Sequence, residues 1–418
     1  MAMRPLRLAF QACGINNGPW LRKFLAGFDV KLALLKGNRF NPYHLQAFQR
    51  LRERPEVVAF RCASETAAFP AKLRGGGRGL KTEPLYFDTE AGAPLHRLKN
   101  VLLQQCGARQ PHVLPFHERL RDFDLIQSWE LFTDWSAEAA EARRRWNIPL
   151  CVMVWDQVPL NMERNPARRQ LKQHVATAAD RFVVHTERSR DMLASQGVDA
   201  GRIVEISPGI DVDRFAPGKV DRAAFGLSEE DFVILFEGWL RPGKGIDFLL
   251  LALREMVHDP LLKHKRVRLL VVGSGPARSR LEQWVRRLDL SAHCVFAGAL
   301  SYDRMPEAFR AADAFVLPNV TVPEWQEPAN MALIEAMACG VPVITTHGGA
   351  SAELAGKAAL LCPPNDFVAL HEAMKDLLLD AGKRAELGAL GRLRARSKFN
   401  LPRYARALSS LYAEMLSA

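Results

Sequence analysis

The sequence predicts an α/β protein of two domains, each a parallel sheet flanked by helices. Three observations carry this expectation. Short apolar runs alternate with longer helical patterns along most of the chain, which is the signature of βαβ units. A proline- and glycine-rich passage, SPGIDVDRFAPG from Ser207, interrupts that alternation near the middle. A length of 418 residues is enough for two domains of ordinary size, each burying its own core.

In chain order, strands are expected at 6–10, 31–35, 57–60, 124–128, 150–155, 181–185 and 203–206 in the first domain. Residues 71–115 fit this pattern worst. Within them LRGGGRGLKTEP is glycine-rich and basic, and a mobile loop is expected there rather than a phosphate cradle, because no strand leads into the glycines and no helix opens from them. After the interdomain passage the alternation is regular, with strands at 232–236, 267–272, 294–297, 314–317, 341–345 and 358–361. Amphipathic helices at 366–379 and 402–416 close the chain. Domains of 1–207 and 208–399 follow, with 400–418 as a final helix.

Composition narrows the function classes. With 48% hydrophobic and 25% charged residues, the chain has the make-up of a soluble globular protein. No apolar run approaches the ~20 residues of a membrane span. The opening MAMRPLRLAFQACG has too short an apolar part for a signal peptide and fits a first strand, so a cytoplasmic protein is expected. Seven cysteines, scattered from Cys13 to Cys362 without a Cys-x-x-Cys pair, exclude a disulfide framework and a zinc site. The net charge of +11 fits phosphorylated ligands, anionic membranes or nucleic acid. Nucleic acid is not expected, because no RNA-binding motif or zinc finger accompanies the charge.

The most informative stretch is WQEPANMALIEAMACGVPVITT, residues 325–346. A helix apolar on every side is expected from Pro328, ended by Gly340 and followed by a buried strand. Glu335 lies inside it and Glu327 just before it. A carboxylate in such a helix needs a partner: a basic side chain, backbone amides or ligand hydroxyls. A glycosidase pair needs carboxyls ~5–9 Å apart. Eight residues on one helical rod span ~12 Å, so these two read as contacts to the ends of one longer ligand.

Two glutamates with seven residues between them, followed by EAMACGVPVI, resemble the signature of family 4 of the retaining, nucleotide-sugar-dependent glycosyltransferases. The resemblance implies a GT-B architecture: two Rossmann-like domains with parallel sheets facing across a cleft, and a C-terminal helix crossing back to the N-terminal domain. It also implies that Glu335 bonds the donor ribose and that Glu327 faces the donor sugar. Where relatives commonly carry Phe-Gly, this chain has Ala329 and Asn330.

Three further passages extend the likeness. EGWLRPGKGIDF is similar to the family's Gly-Arg-Leu…Lys-Gly motif, which implies that Lys244, with Arg241, neutralises the donor diphosphate; Trp239 stands at the usual arginine position after Gly238. Basic residues at a helix start are poor for the helix itself, which also favours a bound diphosphate. VVGSGP, with Gly273, and FAGAL, with Ala299 and Leu300, resemble the turns around the nucleotide. Gly238, Trp239, Lys244, Gly273, Ala299, Leu300, Asn330, Met331, Ala332 and Glu335 are therefore the expected donor-side residues, and Glu327, Lys244 and Arg241 the catalytic ones.

On the acceptor side the candidates are Gly14, Asn16, Asn17 and Gly18, in the turn after the first strand, and Glu130 and Asp156, which follow strands at the edge where open parallel sheets place their sites. Trp155 stands where many relatives carry a histidine, so a proton acceptor is sought in Glu130, Asp156, the donor phosphate or water. No metal cofactor is expected. The partners implied are a nucleotide-sugar donor and a glycan, lipid-linked or small-molecule acceptor. The basic runs at Arg143–Arg145 and Arg168–Arg169 point further to peripheral contact with the inner membrane face. Two competing expectations are a sugar-nucleotide epimerase and a catalytically degenerate binding or scaffold protein. Trp155, Trp239 and Asn330 speak for the latter.

Overall fold

A computed structural model describes residues 30–37, 45–52, 54–62, 81–87, 112–320 and 330–418. The first sheet contains β1 (Lys31–Gly37), β2 (Glu56–Cys62), β3 (Lys81–Leu85), β4 (Leu125–Trp129), β5 (Leu150–Val154), β6 (Arg181–Val184) and β7 (Ile203–Glu205). Its order is β3-β2-β1-β4-β5-β6-β7, and every pair is parallel. The second contains β8 (Phe232–Glu237), β9 (Val267–Val272), β10 (Cys294–Gly298), β11 (Ala314–Leu317), β12 (Val343–Thr346) and β13 (Ala359–Cys362). Its order is β10-β9-β8-β11-β12-β13, again all parallel. Each order reverses once, between β1 and β4 and between β8 and β11. In open α/β sheets ligands bind beyond the strand C-terminal ends at such a reversal.

Helices cover both faces, as parallel sheets require. They are α1 (Gln46–Gln49), α2 (Asp134–Trp146), α3 (Pro166–Ala178), α4 (Glu187–Ser195), α5 (Ile246–His258), α6 (Arg278–Arg287), α7 (Met305–Arg310), α8 (Met331–Ala338), α9 (Ser351–Ala355), α10 (Phe367–Leu379), α11 (Ala381–Lys398) and α12 (Leu401–Ser417). Polar residues start many of them. Thr133, Asn165, Thr186, Asp366, Asp380 and Asn400 each accept a first-turn amide with the side chain, and Pro166 and Pro402 sit where a missing N–H costs nothing.

The final helix belongs to the first sheet. Along β1, Leu32 and Leu34 face one core while Ala33 and Leu35 face the other, and Tyr404, Leu408, Leu411, Tyr412 and Met415 of α12 complete the first of these. Tyr412 donates its hydroxyl to Gln127 Oε1 at 2.8 Å, and Arg181 pairs with Glu414 at 2.6 Å. The chain passes between the sheets twice, and the two passages are bonded together: Ile210 N donates to Phe399 O at 2.8 Å and Leu401 N to Ile210 O at 2.9 Å. The strand C-terminal edges face each other, since Glu187, just beyond β6, donates its amide to Glu353 just beyond β12 at 2.9 Å.

Several expectations need correction. Part of the segment read as a mobile loop, Lys81–Leu85, is edge strand β3. The helix expected from Pro328 begins at Met331, with Asn330 in extended backbone capping Ala332 N at 3.0 Å. The argument that placed Glu327 and Glu335 on one rod therefore does not hold. Helix α11 was not expected at all. The strand at 6–10, the glycines at 75–77 and Glu327 lie outside the described residues.

Candidate active site

At the reversal of the second sheet, the loops that follow β8, β9 and β10 are stitched into one surface. Gly238 N donates to Val272 O at 3.1 Å, Leu240 N to Ser274 O at 2.8 Å, Ala277 N to Leu240 O at 3.0 Å and Gly273 N to Gly298 O at 2.8 Å. Gly273 has φ +135°, and a Cβ there would lie 1.9 Å from Gly238 O, so the loop contact itself demands glycine. Lys244 is buried just before α5. Its Nζ lies 3.7 Å from where a Gly238 Cβ would stand, so the ammonium reaches back over the end of β8. Trp239 is 42% exposed, and the Arg241 guanidinium lies 5.8 Å over its ring. These two thus form one cation–π pair at the rim. Ala299 and Leu300 follow β10, Leu300 packing against the core.

Glu335 is buried within α8, among Ala332, Leu333, Ile334 and Ala336. Burial pushes its pKa up to about 8, and the charge of Glu237 at the end of β8 acts in the same direction. A hydrogen bond from Tyr302 and the nearby Arg214 oppose them. The helix carboxyl thus reaches the β8 edge and the loop after β10. Asn319, beyond β11, is buried as well; its backbone carbonyl accepts from Thr346 Oγ1 at 2.6 Å, while its Oδ1 has no partner.

At the reversal of the first sheet, Glu130 follows β4 with φ +63° and its Oε1 accepts from Trp155 N at 3.0 Å. Burial first and the charge of Asp156 second push its pKa up to about 8. Asp156 receives Val158 N at 3.1 Å and Asn161 Nδ2 at 3.1 Å on both oxygens, and burial raises its pKa too. The two acids expected on the acceptor side are thus brought together, one held by the backbone of the other's loop. Gly14, Asn16, Asn17 and Gly18 lie outside the described residues.

Sequence reasoning missed Lys36 and His185. Lys36, at the end of β1, stands 5.9 Å from the Trp129 ring and 5.6 Å from the Trp155 ring. His185, beyond β6, packs edge-on against Trp155 at 5.4 Å and donates Nδ1 to Ile206 O at 2.7 Å. Burial lowers its pKa to about 4, so it is a neutral packing residue. Neither carries a motif, and each becomes visible only when the strand order puts β1, β4, β5 and β6 side by side.

Four of the five arginines in the basic runs form close ion pairs, Arg144 and Arg145 on the exposed surface. Arg143 pairs with Asp180 at 2.7 Å, Arg144 with Glu141 at 2.7 Å, Arg145 with Glu118 at 3.1 Å and Arg168 with Asp134 at 2.7 Å. Asp211-Val212-Asp213 has a metal-binding spacing, but Asp211 Oδ1 accepts the amides of Asp213 and Arg214 at 3.2 and 3.1 Å. No His/Cys/Asp/Glu group among the described residues has the arrangement of a metal site. No helix among them is long and apolar enough to cross a membrane.

Two parallel sheets presenting their C-terminal edges to each other, tied by a returning C-terminal helix, define the GT-B class. Two family models match successive parts of the chain: "Glycosyltransferase Family 4" over residues 45–214 and "Glycosyl transferases group 1" over 219–394. The chain belongs to glycosyltransferase family 4. It is 28% identical over 291 residues to a D-inositol 3-phosphate glycosyltransferase of Gordonia bronchialis, a match covering 66% of this chain and 63% of that protein. Among solved structures, sucrose-phosphate synthase from Thermosynechococcus elongatus superposes with TM-score 0.73 at 22% identity, covering 92% of this chain and 98% of that one. Anabaena HepE in complex with UDP-glucose gives TM-score 0.71 at 18% identity, covering 92% and 99%.

Proposed function

We propose that the chain transfers a sugar from a nucleoside diphosphate sugar to an acceptor hydroxyl with retention of configuration and without a metal. The acceptor oxygen forms a bond to the anomeric carbon as the bond to the diphosphate breaks. The diphosphate leaves with the electron pair, and an oxygen of its phosphate takes the acceptor's proton. Residues 208–399 hold the donor; residues 1–207 with 400–418 hold the acceptor.

The observation that supports this most is the buried Lys244, reaching over the end of β8 at the sheet reversal, the strand whose last residue, Glu237, acts on the Glu335 carboxyl. A cation there stabilises charge that grows on the leaving diphosphate. Arg241 adds to it from the rim, Glu335 takes the ribose hydroxyls, and the role of Glu327 is to bind the donor sugar. Gly238, Trp239, Gly273, Ala299, Leu300, Asn330, Met331 and Ala332 line the donor. Gly14, Asn16, Asn17, Gly18, Glu130 and Asp156 face the acceptor. UDP-glucose is the first donor to test, because HepE was solved with it. D-inositol 3-phosphate, named in the curated relative, is one acceptor to test.

Incubation with UDP-, GDP- and ADP-sugars should release nucleoside diphosphate from one series, and Lys244→Met should slow that release ~10²–10³-fold while the melting temperature holds. A protein that binds none of these nucleotides is not a transferase of this kind. Binding without turnover would identify a degenerate binding protein, the reading that Trp239 at the usual arginine position favours.

A further inference from the structure

We infer that Gln157 is a specificity residue of the acceptor side, whose side-chain amide reads a hydroxyl of a polyol acceptor alongside Glu130. This rests on the transferase reading above and names a residue and a chemistry that reading leaves open. Gln157 is only 4% exposed, yet neither its Oε1 nor its Nε2 has a hydrogen-bond partner. Glu130 Oε2 is buried and unpartnered as well. The two residues are linked through the backbone, because Glu130 Oε1 is held by the amide of Trp155, two positions before Gln157. A buried polar atom left unmet costs about 1–3 kcal/mol, and folds retain few of them. Here Gln157 and Glu130 hold three of them at the ends of two adjacent strands, one of them β4 at the sheet reversal, and Trp129 Nε1 on the last residue of β4 is a further one.

The neighbouring polar groups argue against loose packing as the cause. Both Asp156 oxygens are bonded to Asn161, and Lys172 bonds Asn161 O at 3.1 Å and Glu163 at 2.6 Å. That network closes without Gln157. The next residues, Val158 to Asn165, line with Arg168 and Arg169 a cavity of about 570 Å³, room for a sugar-sized ligand, and Gln157 stands one position before that lining. An uncharged amide offers one acceptor and two donors, and the adjacent carboxyl adds another oxygen. Neighbouring hydroxyls, each donor and acceptor at once, satisfy that set. An apolar group would leave every one of the three atoms unmet.

The test uses the full chain, with calorimetry for UDP and saturation-transfer NMR for myo-inositol, D-glucose and D-mannose added in the presence of UDP. At least one polyol should bind the wild-type protein. Gln157→Met, which keeps length and removes the amide, should weaken that polyol about tenfold or more and leave UDP affinity within about twofold. Its melting temperature should hold or rise, because an apolar isostere removes the unmet groups. Gln157→Ala gives the same readout should the methionine disturb the loop. Unchanged polyol affinity in a folded variant, or UDP binding with no polyol binding in the wild type, overturns the inference. Absence of UDP, GDP and ADP binding in the wild type overturns the transferase reading itself and this inference with it.

Discussion

At the scale of single residues, a carboxyl inside an apolar helix has to be read together with its proton. Burial holds Glu335 at about 8, with Glu237 adding to the shift, so near neutral pH the free protein keeps the carboxyl protonated. Accepting two ribose hydroxyls favours the ionised form. Nucleotide binding should therefore expel a proton. Below pH 8 the affinity should rise with pH, by at most about tenfold per pH unit, and flatten above it. Calorimetry with UDP at several pH values, in buffers of different ionisation enthalpy, measures both the slope and the released proton. Glu335→Gln should abolish the slope attributable to this group and weaken binding ~10–100-fold at the alkaline end. A slope that survives unchanged in the glutamine variant would assign the proton elsewhere and take Glu335 off the ribose.

At the scale of elements, α12 is the part of the second half of the chain that stabilises the first sheet. Its most specific contact is the buried bond from Tyr412 to Gln127 on β4. Tyr412→Phe leaves Gln127 Oε1 unmet and should cost about 1–3 kcal/mol in urea unfolding. Adding Gln127→Leu should recover part of that loss, since both partners are then apolar, and a double variant no better than the single would show that the bond is not what α12 contributes. What could be read in the sequence divides along the same line. Central strands such as β5 and β9 are nearly continuous apolar runs because helices cover both of their faces, and they were legible to within a residue or two. Edge strand β3 was not, since four of its five residues are exposed and one is proline. Helix α11 hid behind its glycines. A Cβ on Gly388 would lie 2.3 Å from Gly340 O, so the residue that looks like a helix breaker is what lets α11 press against the turn after α8.

At the scale of the whole molecule, the site is a product of topology. The strand-end loops proposed to hold the donor could be read because each strand end and its loop are contiguous in sequence. Lys36, which faces Trp129 and Trp155, was not, because β1, β4 and β5 become neighbours only through the sheet order. One property follows from both sheets together: each reversal carries one buried glutamate whose pKa is raised to about 8, Glu130 in the first sheet and Glu335 in the second. In the unfolded chain both titrate near the ordinary value of 4.5. Between about 4.5 and 8 the native state therefore binds more protons than the unfolded state, and stability must fall as pH rises. Below 4.5 both states are protonated and this contribution to stability is fully present; above 8 it has been lost. The unfolding free energy of the ligand-free protein, from denaturant melts, should decline from pH 5 to pH 8 by up to about 3–4 kcal/mol for each group. Glu130→Gln and Glu335→Gln should each flatten part of the decline, and the double variant most of it, because a neutral amide has no proton to lose. Saturating UDP should flatten only the Glu335 share, since the ligand favours the ionised form there and does not touch Glu130. A midpoint that is level across this range in the ligand-free wild type would mean that water reaches both carboxyls in solution and that neither holds its proton.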